Sequence, residues 1–349
     1  VLTAWAATTP VGDAPGEVAA ALLAGRDGLV PTPDLPVERA GVVGLDLRER
    51  LGRKGTRSLD RLTSLVMVTT GALLDAVPER DPDLGLVLGT TAGSTASITA
   101  FTRDTLTGAR PYLVDPAAFP NTVLNSPAGH TAIRHRLTGP NTTVAGAELA
   151  GVHALRWADR AVRCGHARQL VVGAAEDLSP ERAWGHRRLR GDDGAAAAPV
   201  GEACALLLLE DAGSARAGGR PVLGRVTGSA LALAGAGEDP GPLLVDCLRR
   251  AAAPGPVWAA CTSAAPGPAA EAELAAVRAA LGADPGRVLS PAGSVGDTGA
   301  ATVAVQVVAV LAAAAADPAA DPAAAPRRAV LTAVGRDGAV GAVVLEVGP

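Results

Sequence analysis

The side chains that could do chemistry in this 349-residue chain are few, and the first is an acid. Glu148 stands in TVAGAELAGVHAL (143–155), which follows Gly139-Pro140 and reads as a strand end turning into a helix. A carboxylate at a helix head gains from the macrodipole and from the free backbone N–H groups there. Asp297, in the turn GDTG ahead of a long apolar run, is a second acid. Two carboxylates sharing a cavity can divide the roles of acid and base. The plainer readings are that Glu148 is a buried acid satisfied by helix N–H groups and that Asp297 caps the helix after it. Cys261, in the run PVWAACTS (256–263), ends a strand with no histidine or basic partner nearby in sequence, which reads as a small core filler. The five histidines, at positions 130, 135, 153, 166 and 186, all precede both of these later motifs. His130, His135 and His153 read as packing or surface residues.

Composition narrows the classes. With 48% apolar residues the chain can bury one large core or two equivalent ones. The net charge of -4, with arginines scattered among acids, argues against a nucleic-acid groove or a basic membrane face. Small-molecule or protein partners fit better. Cys164, Cys204, Cys247 and Cys261 form no CxxC pair, so neither a disulfide framework nor a zinc site is expected, and a reducing cytoplasm is. The opening VLTAWAATTP has no basic leader segment, and the apolar run from Thr302 is too short and too Ala-rich to span a membrane. It reads as a buried helix.

These residues need elements to hold them. Short Val/Leu-rich runs alternate with helical patterns, as βα units covering both faces of a sheet require. Strands are expected at 84–90, 168–177, 203–211, 221–232, 256–263, 328–335 and 339–347. Helices are expected at VAAALLAGR, SLDRLTSLVMVTTGALLDAV, LAGVHALRWADRAVRC, EAELAAVRAALG and the run after Thr302. The order suggests two halves, each ending in a pair of strands, with a seam near 212–220. The stretches GAGEDPGP (235–242) and DPAADPAAAPRR (317–328) read as surface connections.

Several segments in this order resemble the β-ketoacyl synthases of the thiolase fold. VLTAWAATTPVGDAPGEVAAALLAGRDGL is similar to that family's first strand and helix, VLGTTAGS to its next strand end, and FPNTVLNSPAGHTAIRHRLTGPN (119–141) to the segment before its nucleophile. PVGEACALLLLED resembles the hairpin closing the first half. The resemblance implies an α/β thiolase-like fold: duplicated βαβαβαββ halves, 1–212 and 213–349, forming a five-layer αβαβα sandwich. It also places Glu148 where the family has its nucleophilic cysteine, Cys261 or a neighbour at the first histidine, and Asp297 at the second. In VGRDGAVGAVVLE, Arg336, between Gly335 and Gly338, takes the place of the gating phenylalanine. Its backbone N–H could serve as half an oxyanion hole, or its side chain could pair with Glu148 and plug the pocket.

Without the thiol, the acyl thioester of Claisen condensation cannot form. The relatives that have lost these groups together are the chain length factors of type II polyketide synthases. The resemblance therefore implies a heterodimer with a catalytic ketosynthase, acyl groups delivered on a phosphopantetheinyl carrier protein, and no cofactor, metal, nucleic acid or membrane. Chain length factors usually carry glutamine at the nucleophile position, so Glu148 departs from them. By resemblance, Ala118 to Ala132 lies at the interface, with Phe119, Thr122, Val123, Leu124 and Asn125 as contacts. The plainer reading makes TVLNSPAG a strand and turn in a core. Phe101, Tyr112 and Phe119 are the scarce bulky residues expected to limit a tunnel of Ala, Val and Leu, and Arg134, Arg136 and Arg156 could meet an acidic carrier. Two other functions stay open: a Glu148/Asp297 enzyme for malonyl decarboxylation or acyl transfer or hydrolysis, and a homodimeric, non-enzymatic acyl or carrier-protein binder.

Overall fold

The computed structural model describes residues 1–52, 54–189, 199–252, 254–317 and 325–348. Most of the connection expected at 317–328 thus lies outside the described residues.

Ten strands build the main sheet. They are β1 (Leu2–Thr8), β2 (Gly85–Thr90), β3 (Asn141–Ala145), β4 (Gln169–Glu176), β5 (Ala203–Glu210), β6 (Gly224–Leu233), β7 (Ala259–Cys261), β8 (Val288–Leu289), β9 (Arg327–Val334) and β10 (Ala339–Val347). Their order is β8-β7-β9-β10-β6-β1-β5-β4-β2-β3. Reading outward from the β6/β1 junction, each side runs through the same sequence: first strand, last, fourth, second, third. The internal duplication is therefore visible in the topology. The two sides meet at a single register pair, Leu2 with Gly224.

Helices fill the layers. Among them, α1 (Pro15–Leu23), α2 (Arg61–Asp75), α3 (Thr95–Thr107), α4 (Ser126–His135), α5 (Ala150–Arg163) and α6 (Pro180–Leu189) belong to the first half. The second half contributes α7 (Gly241–Ala251), α8 (Pro268–Leu281) and α9 (Thr302–Ala315). The continuous apolar strands sort their side chains by alternation: Leu206 and Leu208 of β5 join α2 on the outer face, while Leu207 and Leu209 pack inward with α5 and α9. In the second half, Val330 packs outward with α7 and α8, and Leu331 packs inward. The result is the expected five-layer sandwich, with α5 and α9 as its central layer.

That central pair decides where the site lies. α9 is apolar nearly all round and buried from Val303 to Ala314, which suits a helix covered on every side. Gly151 of α5 allows the close approach, since a Cβ there would stand 2.9 Å from the Val303 Cβ. The two helices begin side by side, and their N-terminal ends carry the residues of interest.

Several local expectations need correction. TVLNSPAG is not a strand and is only partly core: Pro116–Thr122 is a 3₁₀ helix, α4 starts at Ser126, Phe119 and Val123 are exposed, and only Ser126, Pro127 and Ala128 are buried. The segment PNTVLNSP carries prolines and polar residues that break a ladder, which the strand reading undervalued. The strand expected over 256–263 shrinks to Ala259–Cys261, and that over 221–232 starts at Gly224. Helices α3, α4, α6 and α7 had no counterpart in the sequence reading.

Candidate functional site

The turn that presents Glu148 is tight. Gly146 cannot be replaced freely, because a Cβ would meet the His153 ring at 2.9 Å and the Ala150 backbone at 3.2 Å. Ala147 then sits at φ 44°, a left-handed conformation that a non-glycine residue holds at a cost of about 1 kcal/mol or more. A short 3₁₀ turn, Ala147–Leu149, leads directly into α5. The Glu148 carboxyl keeps a hydrogen bond from its own backbone N–H and faces Arg336 of the second half of the molecule.

Arg336 of the other half meets it there and links it to Asp297 and, through Asp297, to His186 of α6. The Arg336 Nε lies 3.7 Å from Glu148 Oε1, and the same guanidinium makes a shorter ion pair with Asp297 Oδ2. His186 Nε2 of α6 stands 3.4 Å from that Asp297 oxygen. The other oxygen, Oδ1, accepts the Gly299 N–H at 2.9 Å, so the side chain does cap the turn after it. Arg182, one turn before His186, donates to the carbonyls of Asp297 (3.0 Å), Gly201 (2.6 Å) and Asp177 (3.1 Å). Asp297 is thereby fixed in backbone and side chain.

The two acids are displaced in opposite directions. Burial pushes the Glu148 carboxyl up and the neighbouring Asp297 carboxylate adds to this, against the weaker pull of its own backbone N–H and of Arg336. For Asp297, burial acts upward too, but the His186 hydrogen bond and the Arg336 and Arg182 charges outweigh it and hold the carboxyl well below the usual range. Asp297 is the firm anion, and Glu148 the one that takes a proton more readily.

Beside this cluster opens a cavity of about 370 Å³. Its walls are mainly apolar, with Pro240, Leu244, Ala264, Pro268, Val334 and Val340 among them, and Glu148, Asp297 and Arg336 stand on its lining. Glu273, also on the lining, is fully engaged: Ser263 N (2.8 Å), Ser263 Oγ (2.9 Å), Ala264 N (2.9 Å) and the Thr332 hydroxyl all donate to it. Cys261 is buried in the inner core, and burial raises its thiol well above the ordinary value, so no thiolate is offered here.

The structure therefore brings Glu148, Asp297 and Arg336 together. Gly335 adjoins them, since a Cβ on it would come within 3.4 Å of Glu148 Oε2, and Gly338, at φ 84°, closes the hairpin turn. The bulky residues lie elsewhere. Phe101 and Phe119 meet edge to face at 5.8 Å, Tyr112 is exposed beneath Arg110, and none of the three lines the cavity. Thr122 and Leu124 are half-buried beside Val123 and Asn125 on the same outer segment. Sequence reasoning missed Arg182 and His186. They lie in the charged run SPERAWGHRRL, and nothing short of the tertiary fold joins them to Asp297.

Residues 1–215 match the family described as Beta-ketoacyl synthase, N-terminal domain, which is more than half of the chain. The chain belongs to the β-ketoacyl synthase family. It is 28% identical over 190 residues to 3-oxoacyl-[acyl-carrier-protein] synthase 2 of Vibrio cholerae, a match covering 51% of this chain and 46% of that protein. The chain thus spans about half the length of such curated relatives. Among solved structures, it is similar to the ishigamide ketosynthase/chain length factor, at 39% identity and a TM-score of 0.85 over 100% of this chain and 99% of the other. It also shares its fold with the AntDE:AntF complex, a type II PKS acyl-carrier protein with its ketosynthase bound to the hexaketide. That match is 17% identical with a TM-score of 0.82, covering 99% of this chain and 98% of the other.

Proposed function

We propose that this protein is a non-catalytic, chain-length-factor-like subunit that pairs with a catalytic ketosynthase in carrier-protein-dependent chain elongation. The carrying observation is the occupant of the nucleophile position: a carboxyl group on the strained turn at the head of α5, facing a guanidinium that Asp297 holds in place. A carboxylate so paired is a poor acyl acceptor, and none of the described histidines other than His186 reaches this cluster. On this reading the partner supplies the thiol and its histidines, and a carrier protein delivers the acyl groups. The 39% identity to the ishigamide ketosynthase/chain length factor supports the same reading.

The outer surface also suits it. Strand β3 is an edge strand, paired only to β2, and its residues are half-buried or exposed. Such an edge needs a cover. The segment before it carries exposed Tyr112, Leu113, Phe119 and Val123, an apolar surface suited to a second subunit. Phe119, Thr122, Val123, Leu124 and Asn125 are the proposed contacts, and Phe101 and Tyr112 their neighbours. The halves 1–212 and 213–349 act here as one scaffold.

A second reading, a Glu148/Asp297 enzyme, is favoured by the opposite displacement of the two carboxyls. It is weakened because both Asp297 oxygens are already engaged and cannot act as a free base. Co-purification of tagged protein from its host, with stoichiometry from native mass spectrometry, separates the readings. A one-to-one complex with a cysteine-bearing ketosynthase is the expected result. Recovery of a homodimer alone, with malonyl-carrier turnover that disappears in Glu148→Gln, would replace the proposal with the enzyme reading.

A further inference from the structure

Helix α5 belongs to the central layer, yet one of its faces is open. The helix packs on β2, β3 and β4 along one side, on α9 along another, and on β6 and β10 of the second half along a third. What remains faces outward beyond the β3 edge, and it carries the exposed residues His153, Arg156, Arg160 and Arg163. Their spacing of three, four and three residues puts them in one stripe along the helix. The stripe starts at the edge strand itself, because the His153 ring stands against Gly146, the residue after β3.

This stripe has few counter-charges. Arg163 pairs with Asp159 at 2.9 Å, whereas Arg156 and Arg160 have no acid partner among the described residues. Partial desolvation of the His153 ring, with the Arg156 charge added, keeps that imidazole below its ordinary value, so the arginines carry the charge at neutral pH. On the outer face of β3, α4 and its C-terminal cap add exposed Arg134 and Arg136. The stretch 116–147, which includes α4 and β3, contains no Asp or Glu, although the whole chain has a net charge of -4. A strand edge open to pairing is therefore flanked by cations on both faces.

Symmetry decides what such an edge can take. Two copies pairing through β3 would form an isologous contact, in which the same patch meets itself and α5 lies beside its symmetry mate. The arginines without acid partners would then face one another, and like charges brought together oppose association. A helix bearing carboxylates in that place reverses the sign. We infer that the cationic face of α5 beside β3 rejects a second copy of this chain and selects a ketosynthase subunit whose facing helix carries Asp or Glu. The inference rests on the proposed pairing with a ketosynthase and adds the feature that keeps the pair unlike.

Charge swapping within this chain tests the rejection without the partner. Arg156→Glu with Arg160→Glu alters exposed side chains only, so this double variant is expected to melt with the parent. In about 50 mM salt, where exposed charges are weakly screened, analytical ultracentrifugation should show each protein alone as a monomer. The equal mixture should dimerise, with a dissociation constant at least about tenfold below that of either protein alone, and the difference should shrink in about 1 M salt. Arg156→Gln with Arg160→Gln removes the charge without replacing it and should self-associate at both salt levels. A parent that dimerises in low salt as readily as the mixture, or a mixture that stays monomeric, would overturn the inference. Tagged parent and tagged Glu variant are then exposed to host extract, and a cysteine-bearing ketosynthase on the parent alone is the expected result. Equal capture by both would overturn the charge selection and leave the pairing standing. No ketosynthase on either, or a carrier protein in its place, would overturn both the ketosynthase as occupant and the pairing proposed above.

Discussion

Asp297 and Glu148 sit within one cluster, yet pH acts on them in opposite senses. The folded protein holds Asp297 below its ordinary value of 3.8, so this acid contributes stability above that value and loses it as pH falls through the folded value. Asp297→Asn should therefore destabilise the protein by about 2 kcal/mol at pH 7, discounted for partial exposure, with the difference from the parent shrinking below about pH 4. Urea unfolding at both pH values reads this directly. Glu148 is held above 4.5, so it contributes nothing at low pH and costs stability as pH rises through its folded value. Glu148→Gln should thus be neutral or gain up to about 1 kcal/mol at pH 7, a gain that vanishes in acid. A large loss at pH 7 would mean that the Arg336 contact outweighs burial. Legibility at this scale was uneven. Asp297 and Arg336 stand in glycine-rich turns whose order in the chain gave them away, and the free side-chain pairing between Arg336 and Glu148 was foreseen as one of two options. His186 and Arg182 carry no such local mark, since their meeting with Asp297 depends on α6 crossing the molecule.

Elements were easiest to read where burial is complete. Strands β4, β5, β9 and β10 and helix α9 are mainly apolar through their buried middles because both faces are covered, and runs of that kind survive an error of register. Helices such as α3 and α6 have no such signature. None of α3 is buried, and α6 buries only Ala183 and His186, so their sequences show no apolar period to detect. The central layer is the most sensitive to substitution. Gly151→Val would drive two methyl groups against Val303 of α9, where even a Cβ stands at 2.9 Å. The expected cost is about 1–3 kcal/mol, seen as a lower urea midpoint at unchanged slope. Because α5 also carries Glu148, the same change should shift the pH dependence of unfolding, whereas a packing defect on the outer face, such as Leu65→Val in α2, should not.

At the scale of the whole molecule, the two halves differ in what they leave uncovered. In the second half, β8 is a two-residue edge. In the first, β3 offers five residues to a neighbour, and the chain before it sets Phe119 and Val123 outward at 56% and 40% exposure. Those side chains contribute little to the isolated chain, since exposed residues away from special contacts alter stability by within about 0.5 kcal/mol. In a subunit interface the same residues would be central, because a stable pair buries about 800 Å² on each side and concentrates its energy in a few apolar anchors. The double variant Phe119→Asp with Val123→Asp should therefore melt within a few degrees of the parent, losing only the Phe101 edge contact, yet fail to form the one-to-one complex. Two desolvated carboxylates at an apolar contact make association unfavourable by several kcal/mol. Thermal unfolding and native mass spectrometry on the same sample give both readings. A variant that melts normally and still pairs with the ketosynthase would move the interface away from residues 118–132.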